Sequence, residues 1–270
     1  MIATDVKGHA VSEDGTKIAY TRVGSGPALV VVDGAMCYRE FGPSKALAEA
    51  LSEHFTVYTY DRRGRGESGT GAECDVRREV EDIAALIEAA GGSAHLFGMS
   101  SGGTLVAEAA HRGVATGRIA IYESPMILDG TRAPMDADLP ARVERAVAEG
   151  RPGDAVKMFM RYVGTPGFFV VALQLTPMWK KLKGVAPTLP NDFAVVGEFQ
   201  HGTPPAADRW AGAEVPALVI AGGKSPDYLR NAQQHLAAAL PQGELTVLPG
   251  QTHMVKPKAT VPVLVEFFQR

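Results

Sequence analysis

Cysteine is scarce in this chain. Its two cysteines, Cys37 and Cys74, match neither a zinc-ligand spacing nor a C-x-x-C pair, so neither a disulfide framework nor a metal staple is expected. Like charge is scarce in runs as well. The 27 basic and 30 acidic side chains leave a net charge of −3, and nothing longer than Arg62-Arg63 or Lys180-Lys181 concentrates it. That excludes a nucleic-acid platform and a polybasic membrane patch. No stretch approaches the ~18 uncharged apolar residues a membrane span needs. The first nine residues show neither the basic start nor the apolar run of a secretory signal. The expectation is a soluble, cytoplasmic protein with no membrane or nucleic-acid partner. Internal repeats and low-complexity tracts are missing too.

What the chain does have is apolar mass, 46% of 270 residues. That suffices for one α/β domain plus an insertion without covalent staples. Short β-branched runs alternate with helical patterns. Strands are expected over 17–23, 28–32, 55–60, 94–97, 118–122, 217–221 and 244–248. Helices are expected over 44–54 with Ser44 as N-cap, 76–90 stopped by Gly91-Gly92, 101–111, 228–240 and from about 261. This rhythm describes a mostly parallel sheet covered on both faces.

The rhythm breaks between about 125 and 212. Helical pieces over 141–150, 152–163, 167–175 and 191–200 are cut by proline and glycine. The segment is rich in Met158, Phe159, Met160, Phe168, Phe169, Met178, Trp179, Phe193 and Phe199. Either it is a lid over a pocket or an extra helical layer packed on itself. The expected division is a core of 1–124 and 213–270 with a helical lid of 125–212.

Gly98-Met99-Ser100-Ser101-Gly102 is G-x-S-x-G at a strand-to-helix transition. A serine on such a turn has its hydroxyl lifted above the sheet edge, and the helix behind it aims N–H groups at developing negative charge. Serine needs a base. His253 follows the last strand and therefore lies on the same carboxyl edge. His9, His54, His111 and His235 read as surface or helix residues, His95 as a cap of the opposite edge, and His201 as within reach of a ligand. Gly64-Arg65-Gly66-Glu67-Ser68-Gly69 spells G-x-G-x-x-G, but a loop rather than a helix follows, so it is a turn and not a dinucleotide site.

Tyr60-Asp61-Arg62-Arg63-Gly64-Arg65-Gly66-Glu67-Ser68-Gly69, Gly98-Met99-Ser100-Ser101-Gly102-Gly103 and Pro249-Gly250-Gln251-Thr252-His253 together resemble the α/β-hydrolase superfamily over nearly the whole chain outside 125–212. The resemblance implies the α/β-hydrolase fold, a Ser–acid–His triad and hydrolysis without cofactor or metal. The chain departs from the common form twice. Asp33-Gly34-Ala35 stands where many members carry His-Gly, and the expected oxyanion donors are the N–H groups of Ala35 and Ser101, with Gly34 as the alternative to Ala35. At the usual acid position stands Ser225, with Asp227 two residues later. Glu123 ends a buried strand where a charge must be paired, and it is the favoured acid over Asp227. The lactonases that open zearalenone also keep their acid there and carry Asp-Gly and Ser-Ser-Gly.

These residues point to a serine hydrolase using Ser100, Glu123 and His253 on a carboxylic ester or lactone. Met36 and Tyr38 beside the oxyanion turn, with Met158 and Trp179 of the lid, are expected to line an apolar pocket for a medium-sized hydrophobic substrate. Cys37 stands beside the same turn. A cofactor-free lyase, a C–C bond hydrolase and a non-catalytic ligand-binding member are the alternatives, and a homodimer is left open.

Overall fold

The computed structural model describes residues 5–71 and 75–270; Cys74 lies outside them, as do Ala72 and Glu73 of the loop expected after Gly71. Among the described residues eight strands form one sheet: β1 (Val6–Val11), β2 (Lys17–Gly24), β3 (Ala28–Val32), β4 (Thr56–Tyr60), β5 (His95–Met99), β6 (Ile119–Tyr122), β7 (Ala217–Gly222) and β8 (Gly243–Leu248). Their spatial order is β1-β2-β4-β3-β5-β6-β7-β8. β1 and β2 pair antiparallel, as do β2 and β4; every later pairing is parallel.

The parallel strands are buried on both faces, and their side chains alternate between two cores. Val30, Val32, Ile119, Ile121 and Val219 enter the core made with α2 (Val76–Ala89), α3 (Ser101–His111) and α9 (Asp227–Ala239). Leu29, Val31, Phe97, Tyr122 and Ile220 enter the other, made with α1 (Ser44–Leu51) and α10 (Pro257–Phe268). Burial on both faces is why these strands read as continuous apolar runs. The chain leaves β3 for β4 on one side and returns across it to β5 on the other. That reversal opens a crevice at the carboxyl ends of the strands, the usual ligand position in such sheets.

Between β6 and β7 the chain builds five helices: α4 (Leu139–Ala148), α5 (Pro152–Tyr162), α6 (Gly167–Gln174), α7 (Pro177–Val185) and α8 (Leu189–Val196). They share a third apolar cluster that includes Val143, Val156, Leu182, Leu189 and Phe193. The far end of this insertion is not separate from the main core. Phe199 and Trp210 are stacked 5.5 Å apart within it. Phe168, Phe169 and Met178 are exposed.

One local expectation needs correction, and two elements lie outside the expected ones. Ser44 is the first residue of α1 rather than its cap, which is Pro43, and it makes no capping hydrogen bond. β1 went unread because its outward residues leave only Ala10 buried. α7 was hidden behind Pro177, which sits in the first helical turn, where its missing N–H costs nothing. Gly91 and Gly92 do end α2, at φ 101° and 86°. Among the described residues no helix is long and apolar enough to cross a membrane.

Candidate active site

β5 ends at Met99 and α3 begins at Ser101, leaving Ser100 alone on the turn at φ 53° and ψ −127°. Its N–H donates to Tyr122 O at 2.9 Å, which locks the turn onto β6. The two glycines of the motif are required by contact. A Cβ on Gly98 would sit 2.3 Å from Gly102 O, and one on Gly102 would sit 2.2 Å from Val32 O. Only glycine lets α3 start this close to the sheet. Among the described residues three non-glycine residues have positive φ: Met36, Ser100 and Glu123. All three stand just beyond the carboxyl ends of β3, β5 and β6. Such strain persists where surrounding contacts over-determine it, and functional sites collect it.

Glu123 is 0% exposed. Its Oε1 accepts from Gly222 N–H at 2.7 Å, and its Oε2 lies 2.9 Å from His253 Nδ1. A carboxylate only accepts, so Nδ1 carries the proton and Nε2 is left free as a base. His253 itself is 40% exposed and lines a cavity together with Ser100, Ser101 and Ala35. Among the described residues Ser100 Oγ and the imidazole make no direct hydrogen bond. Triad contacts of this kind often tighten only around substrate. Ser101 is the first residue of its helix, and neither its N–H nor that of Ala35 has an acceptor among the described residues. Both amides are thus available to an oxyanion. Gly34 stands behind them, and a Cβ there would come 3.0 Å from Ser100 Cβ.

Asp227 is elsewhere. It opens α9 exposed and pairs with Arg230. The Ser225 hydroxyl is buried and, among the described residues, has no hydrogen-bond partner, His253 included. His201 is exposed and does not line the cavity. His95 sits at the opposite edge, accepting from Arg118 N–H and stacked on Phe268.

The cavity holds about 180 Å³ and is walled by Pro125, Phe159, Tyr162, Val163, Phe193, Val196, Tyr228 and Leu229 among others. The four expected wall residues are not part of it. Met36 is buried in the insertion's own cluster, and Tyr38 packs on Phe41. Met158 faces an outer groove, and Trp179 lies against Gly153. Phe159, one residue from Met158, does line the cavity, because neighbouring residues of a helix point about 100° apart.

Sequence reasoning missed the charges beneath the site. Arg62 and Arg65, in the loop after β4, are fully buried. Arg62 pairs with Glu79 and, at 2.8 Å, with Asp192 of α8. Arg65 places Nη2 2.8 Å from both Asp192 oxygens, while its Nη1 donates to Gly34 O at 2.9 Å and Cys37 O at 3.0 Å. The two guanidiniums hold the Asp192 carboxyl below its usual range in spite of burial. Asp33, beside the same turn, also feels Arg65 and Arg62, but there burial outweighs them. Burial raises it to about 6, and its Oδ1 has no partner. Among the described residues no group of three or more His, Cys, Asp or Glu is placed to hold a metal.

The profile of the alpha/beta hydrolase family matches residues 26–262. An alpha/beta hydrolase structure from Sphaerobacter thermophilus is 46% identical, with a TM-score of 0.88 over 97% of this chain and 100% of that one. N-formylmaleamate deformylase of Pseudomonas putida is 33% identical over 168 residues, 58% of this chain, so the match spans only 60% of that relative's length. The (E)-2-((N-methylformamido)methylene)succinate hydrolase of Acinetobacter baylyi is 25% identical over 240 residues, 87% of each chain. The chain belongs to the alpha/beta hydrolase family, and it is an enzyme of the hydrolase class.

Proposed function

We propose that this hydrolase cleaves a carboxylic ester or lactone through an acyl-enzyme on Ser100. Ser100 Oγ attacks the acyl carbon and passes its proton to His253 Nε2, which returns it to the leaving oxygen. Glu123 holds the Nδ1–H and stabilises the imidazolium. The N–H groups of Ala35 and Ser101 take the oxyanion. Water, activated by the same imidazole, then releases the acid. The observation that carries this reading is the buried Glu123 carboxylate 2.9 Å from His253 Nδ1, at the wall of the cavity that Ser100 also lines.

The sequence suggests a medium-sized hydrophobic substrate; the cavity supports a smaller one. Its 180 Å³ is comparable with the ~150 Å³ cavity that accepts benzene, so the acyl part is about that size and a macrolactone does not fit within it. In this reading residues 125–212 act as the lid, since Phe159, Tyr162, Phe193 and Val196 all come from that segment, and the enzyme works in the cytoplasm. A second reading is cleavage of a formamide C–N bond. It is favoured by the names of the two curated relatives, a deformylase and an N-methylformamido compound's hydrolase.

The test is a fluorophosphonate label located by mass spectrometry, beside turnover of matched small esters and N-formyl amides. Label on Ser100 is expected, lost in Ser100→Ala. Ser101→Ala should retain much of the turnover, because Ser101 offers its backbone. Equal losses in the two variants would sink the reading, and exclusive turnover of the formamides would move it to the second.

A further inference from the structure

Apart from the hydroxyls of Tyr162 and Tyr228, the polar groups of the cavity wall belong to six residues: Ser100, Ser101, Arg132, Asp192, Gln200 and His253. Five of them are accounted for. Ser100 and Ser101 belong to the strand-to-helix turn, and His253 is held by Glu123. Both oxygens of Asp192 are taken by Arg62 and Arg65. Gln200 accepts from the Tyr162 hydroxyl and donates to Pro125 O. Arg132 is different. It donates to the Tyr162 carbonyl, and its guanidinium carbon lies 5.1 Å from the Tyr162 ring centroid and 4.5 Å from that of Tyr228. Among the described residues no carboxylate stands within 4.0 Å of it.

Arg132 is half-buried, so water screens part of its charge and no counter-ion covers the rest. Two aromatic faces compensate a cation only partly. They also fix the plane of the guanidinium, which pre-organises the fork for a planar, two-oxygen acceptor. The arginine lies where the reaction cavity meets the outer groove, since it lines both. On the groove side stands Arg161, also without a carboxylate partner among the described residues. The uncompensated charge facing the cavity is therefore positive, and a substrate entering along the groove passes it.

We infer that the substrate carries an anionic carboxylate besides its scissile acyl group, and that Arg132 binds this carboxylate and sets which acyl chains are accepted. This inference rests on Ser100-dependent hydrolysis as proposed above. In a cavity this small the two groups are separated by a short chain, as in a half-ester of a C4 or C5 dicarboxylic acid. Arg132 acts on specificity, not on the reacting bond.

The experiment compares monoethyl succinate with ethyl 4-methylpentanoate, in which an isopropyl group replaces the carboxylate at similar shape. Both are followed by pH-stat. The wild type should favour the anionic ester in kcat/KM by roughly 10- to 100-fold, the scale of hydrogen bonds to a charged group. Arg132→Gln should bring that ratio near one, and Arg132→Lys should keep part of it. Because the ratio is taken within one protein, general loosening of the lid cancels. A ratio near one in the wild type overturns the inference, and so does a high ratio that Arg132→Gln leaves intact. Should Arg132→Gln fail to fold, inhibition of the wild type by succinate and by succinamide decides. Succinate should inhibit at least tenfold better, and equal inhibition overturns the inference. Loss of turnover in Ser100→Ala is read separately. If the neutral ester is cleaved without Ser100, the proposed function falls, whatever the ratio shows.

Discussion

Asp192 ties the insertion, through Arg65, to the turn proposed to hold the oxyanion, and Asp192→Asn tests that link. The carboxylate is 2% exposed and accepts from Arg62 and Arg65 at 2.8 Å. Arg62 keeps Glu79 when Asp192 is neutralised. Arg65 keeps no carboxylate, since Asp192 is its one ion-pair partner among the described residues. Removing one member of a buried pair costs about 3–5 kcal/mol, because the other is left charged and unpaired. Unfolding entropy of ~2.1 cal/mol/K per residue, taken over the chain, converts that loss into a Tm lower by roughly 5–9 °C. The folded Asp192 carboxyl is held below its ordinary range. Its contribution is therefore complete above the unfolded value near 4 and vanishes as pH falls through the folded one. Wild type and Asp192→Asn should accordingly converge in acid. The kinetic consequence is separate. Arg65 fixes the carbonyls of Gly34 and Cys37, which flank the Ala35 amide. Loss of one oxyanion donor costs about 10²–10³ in kcat, so a donor merely loosened should cost about 10–100-fold with KM little changed. Thermal melts between pH 3 and 8, with kcat and KM on a small ester, make the measurement. A variant that melts within 1 °C of wild type refutes the energetic argument. One that loses stability yet keeps full kcat refutes the connection to the oxyanion turn.

Three further substitutions separate neighbouring explanations. Glu123→Gln keeps the shape but removes the charge opposite the imidazolium, so kcat should fall by roughly 10³–10⁴ at similar KM, while Asp227→Asn, exposed and paired with Arg230, should cost less than about tenfold; steady-state kinetics on both would return the acid to Asp227 if the order is reversed. Asp33 is buried with a pKa raised to about 6. Its ionisation penalty is therefore absent below about pH 4, grows between 4 and 6, and is complete above. Some two pKa units correspond to up to about 3 kcal/mol, so Asp33→Asn should be more stable than wild type at pH 8 and indistinguishable at pH 4. Urea melts that show no pH-dependent difference would mean that Asp33 stays solvated or paired.

The parts of the site that were legible in the sequence are those the backbone writes into local residue types. A serine on a strand-to-helix turn demands glycine where α3 crosses the sheet, and Gly98 and Gly102 spell that demand within five residues. A carboxylate closing a strand as buried as Ile119–Tyr122 must find a partner, which made Glu123 readable before its contact with His253 was seen. What the sequence concealed depends on long separations or on which way a helix is turned. Arg65 and Asp192 are 127 positions apart, and Arg62 and Asp192 are 130; in the linear text they are an arginine run in a glycine loop and a lone aspartate in a first helical turn. The cavity wall was hidden for a second reason. An apolar composition says that a helix is covered but not which side faces what. On α5 and just beyond it, Phe159, Tyr162 and Val163 recur at the three- and four-residue spacing of one helix face and line the cavity. Met158, offset from that face by one residue, turns to the outer groove with Arg161. Arg132 belongs to the same class of concealment. It lies in an irregular stretch with no periodicity to place it, and its meaning appears only once Tyr162 and Tyr228, from α5 and α9, close on its two sides.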